Sequence, residues 1–372
     1  MKLQYKNGKE GKEPALSFFV VSMTFFNNKS TESIEYIDAI PENYKTKKQK
    51  RLWKIIGASI AAVVIIIIVI VVAVVVTDNK KRQDAANTLG NSANNNSNYP
   101  VSPYSHMTQI VTNNDTSLQQ KERIFVIGDI HGCIDEFNAL ISALNYTDRD
   151  QLILAGDLTS KGPDSIGVIR RAKELGALCV RGNHDDKLIR FKTFELVNGQ
   201  GSMAPPKAVM PEGSVPDPLK FSNYHEPIAL NMTKEDYDYL SSCPVILHLP
   251  FLNNTIVVHG GLDPSIPALK DQVPYLVMNM RDIDKHNIPT RDKVGTQWAV
   301  EWNSYQKSLT VNNTMIYYGH DAGRGLNLQQ YTFGVDTGCV YGNQLTAINI
   351  RTHELTQVKC AMHYPNGGDE DD

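Results

Sequence analysis

Between residues 123 and 320 the chain repeats one local pattern. A short run of aliphatic and β-branched residues stops at a glycine that neighbours an acidic, amide or imidazole side chain. Residues 124–127 lead into Gly128-Asp129-Ile130-His131-Gly132, and 151–154 into Gly156-Asp157. Residues 178–180 lead into Gly182-Asn183-His184-Asp185, 255–258 into His259-Gly260-Gly261, and 315–318 into Gly319-His320. Runs of this length and composition predict strands. Residues 134–144 and 165–175 carry apolar positions at helical spacing and predict helices between the first three strands. Strand–helix–strand alternation predicts an α/β fold on a parallel or mixed sheet. The polar residues then gather at the carboxyl ends of the strands, where such sheets bind ligands.

The same pattern changes abruptly upstream. Residues 55–76 are 22 consecutive positions without a charge, almost all Ile, Val and Ala. About 20 apolar residues suffice to cross a bilayer as a helix, so this segment predicts one transmembrane helix. It lies too far from residue 1 for an ordinary cleaved signal peptide. Lys45, Lys47, Lys48, Lys50, Arg51 and Lys54 flank one side; Lys80, Lys81 and Arg82, diluted by Asp78 and Asp84, flank the other. The heavier positive flank is expected to stay in the cytosol, which puts the larger C-terminal part in a lumen or outside the cell. Six of the chain's seven Asn-x-Ser/Thr sequons, at Asn95, Asn114, Asn145, Asn231, Asn253 and Asn312, lie beyond the span and fit that side. The expected organisation is a cytosolic tail (1–54), the membrane helix (55–76), a polar stalk (77–120), one compact domain (121–364) and an acidic tail (365–372). Residues 199–222 are rich in Gly and Pro and have no period; a rim over the site and a surface insertion both fit them.

Charge adds a constraint. The 372 residues sum to a net charge of −3, and from Lys121 onward there are 23 Lys and Arg against 31 Asp and Glu. A domain this acidic has no bulk affinity for a nucleic acid polymer, and any polyanion it takes must be held by locally placed cations. The five cysteines, Cys133, Cys179, Cys243, Cys339 and Cys360, show no CxxC spacing, and the odd number leaves at least one unpaired within the chain.

The strand-end residues carry the chemistry. Asp129 and His131 are two apart on an extended segment and can face one ion. Asp157 can bridge two ions with its two oxygens, Asn183 offers a carbonyl oxygen, and His259 and His320 offer imidazoles. This mixed oxygen and nitrogen set suits Zn, Mn, Fe or Co better than Ca. Two such ions about 3.5–4 Å apart neutralise a phosphoryl group and activate water. His184, next to Asn183, stands where a general acid for the leaving oxygen is needed.

The ordered set GDIHG, GDLTSKGP, GNHD, HGG and GH resembles the calcineurin-like metallophosphoesterase superfamily over residues 123–350. It is most similar to the branch that holds Ser/Thr protein phosphatases and symmetrical diadenosine tetraphosphatases, and residues 334–347 resemble that branch's closing segment. The resemblance implies a four-layer sandwich, two stacked mixed sheets flanked by helices. It implies two divalent ions, zinc first with cobalt, manganese or magnesium as alternatives. Asp129, His131 and Asp157 would hold one ion; Asp157, Asn183, His259 and His320 would hold the other. Protein phosphatases carry Asp-Arg where this chain has Ser160 and Lys161. The Asp normally orients the catalytic histidine and the Arg forks onto phosphate, so a protein-phosphatase role is weakened. Lys161, Arg281 and Arg324 are the expected phosphate contacts, with Lys187, Arg190 and Lys192 as an extension or as an ordinary solvated helix face. The Lys variant, the single span and the GHDAGRG segment at 319–325 resemble the fungal vacuolar zinc-dependent endopolyphosphatases. They imply internal cleavage of inorganic polyphosphate at a vacuolar membrane. A diadenosine polyphosphate hydrolase and a membrane-anchored protein phosphatase are the alternatives, and a catalytically dead scaffold is disfavoured by the intact ligand set. His106, His225, His248, His286, His353 and His363 fall outside the motifs and read as surface or packing residues.

Overall fold

The computed structural model describes residues 99–365 apart from 200, 310 and 312, together with two short antiparallel pairs near the N-terminus. Those pairs join Ser17–Phe19 to Asp38–Ile40 and Met23–Thr24 to Ser33–Ile34. They belong to a separate compact unit. The predicted membrane span, 55–76, lies outside the described residues; among those described, no helix is long and apolar enough to cross a membrane.

Two mixed sheets form the catalytic unit. The first contains β2 (Arg123–Ile127), β3 (Asp150–Leu154) and β4 (Leu178–Cys179) in parallel. On its other side β13 (Gln344–Asn349) pairs antiparallel with β2, and β14 (Leu355–Lys359) with β13. The second runs β11 (Asn327–Leu328), β12 (Thr332–Gly334), β10 (Ile316–Tyr318), β6 (Thr255–Val258), β5 (Ile246–Leu249) and β1 (Ile110–Thr112). A small third sheet joins β7 (Asp282–Ile283), β8 (Pro289–Thr290) and β9 (Thr296–Gln297).

Side chains alternate across each strand, so successive apolar residues serve opposite faces. Ile124 and Val126 pack with Val257, Tyr317 and Phe333 of the other sheet, which makes the inter-sheet core. Phe125 and Ile127 face the opposite way and pack with Phe137, Leu140, Val168 and Ile169 on α1 (Ile134–Ala143) and α2 (Ser165–Glu174). Ile256, Val258, Ile316 and Tyr318 face away from the first sheet and meet Val277, Trp298 and Trp302. The layers are therefore helix, sheet, sheet, helix, as the resemblance implied. Strands buried on both faces explain why these segments read as continuous apolar runs rather than as alternating ones.

One stretch corrects the sequence reading, and the structure shows how another is held. Residues 99–120 are not a polar stalk: Ile110–Thr112 adds an edge strand beside β5. The fully buried Arg181 donates to the carbonyls of Ser105, His106 and Ser241. Backbone pairing and one guanidinium hold this segment, so it needs few apolar residues of its own. Residues 199–222 are likewise pinned. Arg190, 1% exposed, donates to both oxygens of Glu212, at 2.6 and 2.7 Å, and to Asp217 at 2.9 Å.

Disulfides Cys179–Cys243 and Cys339–Cys360 close loops of 64 and 21 residues, and Cys133 remains a buried thiol. The first ties β4 to the end of the helix Lys234–Ser242. Replacing Cys179 and Cys243 together by Ser is expected to lower unfolding free energy by about 2–4 kcal/mol, read by urea denaturation. Asp150 gives a pH-dependent counterpart. Burial would raise its carboxyl, but hydrogen bonds from Arg123 and Thr147 and the charge of Arg123 outweigh that and hold it below the ordinary value. A depressed carboxyl stabilises the fold above its unfolded pKa and loses that contribution as pH falls through the folded one. Asp150→Asn should therefore lower Tm at neutral pH, and its deficit against wild type should shrink in acid.

Candidate metal centre

Each motif places its polar side chain just past a strand end, on backbone that is bent back toward the next motif. His131, Asp157 and His320 have φ of 47°, 47° and 71°, and Ser160 and Lys161 have 76° and 61°. Non-glycine residues in this region are uncommon and cost of order 1–3 kcal/mol each, so their clustering marks a site held in place by its surroundings. Two glycines permit the close approach. A Cβ at Gly182 would collide with Asp157 Oδ1, and one at Gly319 with Asp129 Oδ1.

Asp157 stands at the centre. Its Oδ1 accepts from the backbone N–H of His184 at 3.0 Å. Its Oδ2 lies 3.5 Å from His131 Nε2 on one side and 3.3 Å from His259 Nε2 on the other. Asp129 Oδ2 is 3.9 Å from His131 Nε2, and Asn183 Oδ1 is 3.1 Å from His259 Nε2. His320 completes the second group, with donor atoms of Asp157, His259 and His320 all within 4.8 Å of one another. All six expected ligands are thus brought together and buried.

The outer atoms of the imidazoles are committed. His131 Nδ1 donates to the Thr159 carbonyl at 3.0 Å and His259 Nδ1 to the Ala155 carbonyl at 2.8 Å, which leaves both Nε2 atoms turned toward Asp157. His320 is turned the other way: its Nε2 donates to the Asn279 carbonyl at 2.9 Å, leaving Nδ1. Carbonyl partners of this kind fix tautomer and ring orientation in metal sites. Burial would lower the His259 imidazolium, yet Asp157 and Asp129 push it up to about 10. Burial and the Lys161 charge lower His131 to about 3. The cluster draws positive charge to the space beside Asp157, the role a divalent cation fills, so donor set, tautomers and charge all fit two ions.

Three further acids or bases went unrecognised in the sequence. Asp185 locks two motif loops together, accepting from Thr159 Oγ1 at 2.8 Å and from the Gly182 N–H at 3.1 Å. Asp336 is buried near Asp129 and Asp157, and burial raises it to about 6. His225 contacts His184, with its Nε2 2.9 Å from His184 Nδ1, and is not the packing residue that its position suggested. The two carboxylates had a signal, since each directly follows or closes a motif. His225 had none.

The expected phosphate contacts divide. Lys161 Nζ lies 3.0 Å from Tyr341 Oη, and its charge is felt at His131, which places it at the centre. Arg281 is 5% exposed and its guanidinium reaches the His320 carbonyl at 3.5 Å. Arg324 instead forms ion pairs at 2.6 Å with both Asp321 and Asp282. Its charge is neutralised inside the fold. Arg190 is buried among acids, and Lys192 pairs with Glu195 at 2.7 Å, so neither extends a cationic track.

Comparison with known proteins agrees with this geometry. The family model for calcineurin-like phosphoesterases matches residues 122–342. A zinc-dependent endopolyphosphatase of Saccharomyces cerevisiae is 29% identical over 272 residues, 65% of this chain and 82% of that one. An asymmetrical bis(5'-nucleosyl)-tetraphosphatase of Bacillus velezensis is 31% identical over 253 residues, 64% of this chain and 93% of that one. The crystal structure of a putative diadenosine tetraphosphatase superposes with a TM-score of 0.54 at 30% identity, covering 68% of this chain and 99% of that one.

Asp157→Asn keeps the side-chain volume and removes the shared charge. Elemental analysis of the purified full-length protein should show two divalent ions per chain in wild type and loss of at least one in the variant. Equal metal content in both would refute the shared-carboxylate arrangement.

Proposed function

The chain belongs to the calcineurin-like phosphoesterase family, and from that premise we propose that it is a hydrolase of phosphoanhydride bonds whose substrate is inorganic polyphosphate, cut within the chain. The observation that carries the chemistry is Asp157 Oδ2 between two imidazole Nε2 atoms, at 3.5 and 3.3 Å, which makes two half-sites share one carboxylate. Bound zinc, or cobalt, manganese or magnesium in its place, would be held by Asp129, His131, Asp157, Asn183, His259 and His320 and would supply Lewis acidity and activated water.

The chain's own residues supply the rest. Lys161, whose charge acts on His131, and Arg281, whose guanidinium lies 3.5 Å from the His320 carbonyl, offer positive charge from different segments, so a phosphoryl group held there is oriented as well as neutralised. His184 Nε2 faces the same cluster, because Nδ1 is engaged by His225 and Tyr224 at 2.9 and 3.2 Å. As the water oxygen bonds to phosphorus, with one of its protons lost to solvent, the P–O bond to the departing chain breaks, and His184, acting as an imidazolium, delivers its Nε2 proton to that oxygen.

Polyphosphate is favoured by the likeness to the yeast enzyme and by Ser160-Lys161. A lysine is a compact point charge that suits a repeating chain of equivalent phosphates better than a geometrically demanding fork does. The bacterial relative and the superposed structure support a second reading, hydrolysis of diadenosine polyphosphates. We further propose that the domain works in an oxidising lumen, with vacuolar placement resting on the fungal resemblance and anchorage on the apolar run 55–76. Support comes from two disulfides and from the exposure of Asn114, Asn145, Asn231 and Asn253, every sequon asparagine among the described residues.

The deciding assay gives the metal-loaded full-length chain long-chain polyphosphate and diadenosine tetraphosphate in parallel. Mid-length fragments on a gel, absent with Asp157→Asn, are expected. Intact polyphosphate with mononucleotides released from the dinucleotide would move the assignment to the second reading. Lys161→Ala should raise KM for polyphosphate about tenfold or more while metal content holds, as expected for a lost contact to a phosphate charge.

A further inference from the structure

The catalytic histidine of relatives with Asp-Arg in the second motif has a carboxylate to orient it, and this chain has Ser160 there. Ser160 is fully buried and its hydroxyl has no hydrogen-bond partner among the described residues. The orientation of His184 comes from elsewhere. His225, 1% exposed, stacks on His184 with ring centroids 5.2 Å apart, and His184 Nδ1 meets His225 Nε2 at 2.9 Å. Asn223 Oδ1 lies 2.7 Å from His225 Nδ1 and also accepts the backbone N–H of His225 at 3.0 Å.

That double contact settles the proton positions. A backbone N–H can only donate, so the Asn223 atom is an acceptor and His225 Nδ1 carries a hydrogen. With His225 neutral, its lone pair is on Nε2 and accepts from His184 Nδ1 at 2.9 Å, while the Tyr224 hydroxyl lies 3.2 Å from the same His184 nitrogen. His184 Nε2 is left to face His131 and Asp157, with which His184 forms a cluster of donor atoms within 4.8 Å, and the proton it delivers is the second one, carried on Nε2 by the imidazolium.

We propose that Asn223 and His225 are positioning residues for His184, setting its tautomer and ring orientation in place of the missing carboxylate. This rests on His184 being the general acid. The pair explains why the 199–222 loop is pinned by Arg190 and Glu212: its far end delivers Asn223-Tyr224-His225 to the centre. An aspartate would fix the same tautomer and add a negative charge. A neutral imidazole fixes it and adds none.

The test compares full-length wild type with His225→Ala, His225→Gln and Asn223→Ala on long-chain polyphosphate, diadenosine tetraphosphate and p-nitrophenyl phosphate. His225→Ala should lower kcat about 10–100-fold, the range seen when partners of site residues are removed. KM should stay within about two-fold, since ground-state binding is untouched, and metal content should not change. His225→Gln keeps an acceptor oxygen and should recover much of the loss. A raised KM with unchanged kcat, a fall in metal content, or a Gln variant no better than Ala would overturn the proposal. A substrate-independent readout uses protein labelled with 15N-histidine. Wild type should show His184 and His225 both protonated at Nδ1 and the His184 resonance shifted in His225→Ala. A hydrogen on His225 Nε2 instead would defeat the proposal whatever the substrate. Failure of the polyphosphate reading looks different: the other substrates would be cut and polyphosphate left intact.

Discussion

The structure depends on one carboxylate. Asp157 sits at a left-handed backbone position past β3, and each of its oxygens is engaged by a different part of the chain. Oδ1 takes the N–H at the start of the helix Asn183–Asn198, and Oδ2 faces His131 and His259 from opposite sheets. Burial alone would raise this carboxyl, yet His259, His184 and His131 together hold it well below the ordinary value. It is therefore the fixed negative point around which the rest of the cluster is arranged. The helix N-terminus behind it adds a favourable dipole. Gly182 has no side chain for the same reason: any Cβ would occupy the place of the Asp157 oxygen.

Holding that point has a cost that the scaffold offsets. Five residues of the cluster occupy the left-handed region, and Asp129, Asp157, Asp185 and Asp336 are all buried near one another. The compensations are local and specific. Asp185 ties the Thr159 hydroxyl to the Gly182 turn, the histidines are braced on backbone carbonyls, and a disulfide closes the edge strand β4. Strain and like charge gathered at one place, braced on every side, is the pattern expected where function rather than stability sets the conformation.

How much of this was legible in the sequence follows from the range of each interaction. The six expected ligand positions were readable because they stand in five motifs that each end a strand with a glycine beside the polar residue, a purely local signature repeated in order. The layers followed, since strands covered on both faces must be apolar throughout. The edge strand at 110–112 was hidden because three residues in a polar stretch carry no period, and its partner, with Ile246 opposite Ile110, is 136 residues away. Charge was the least legible property. Arg190 and Arg324 read as candidates for phosphate, but buried acids more than 20 residues distant neutralise them. His225 was invisible for the converse reason: it lies in an aperiodic segment, and its meaning exists only through His184, 41 residues earlier.

The exchange of a carboxylate for an imidazole beside His184 bears on the class of substrate. On the proposed reading, a polyanion approaching this centre would meet four buried acids, the cations of Lys161 and Arg281, and the charge of the metals held there. Each further carboxylate would repel the substrate through a low-dielectric medium, where Coulomb terms are large. Orienting the acid with a neutral ring removes one such term. A phosphate oxygen within a chain is also a better leaving group than a serine or sugar alkoxide, so its departure demands less of the acid. A centre that fixes the histidine's geometry without boosting its positive charge is better matched to phosphoanhydrides than to alkyl phosphoesters. Ser160, Lys161 and the Asn223–His225 pair then form one coherent departure from the protein-phosphatase pattern rather than three separate ones.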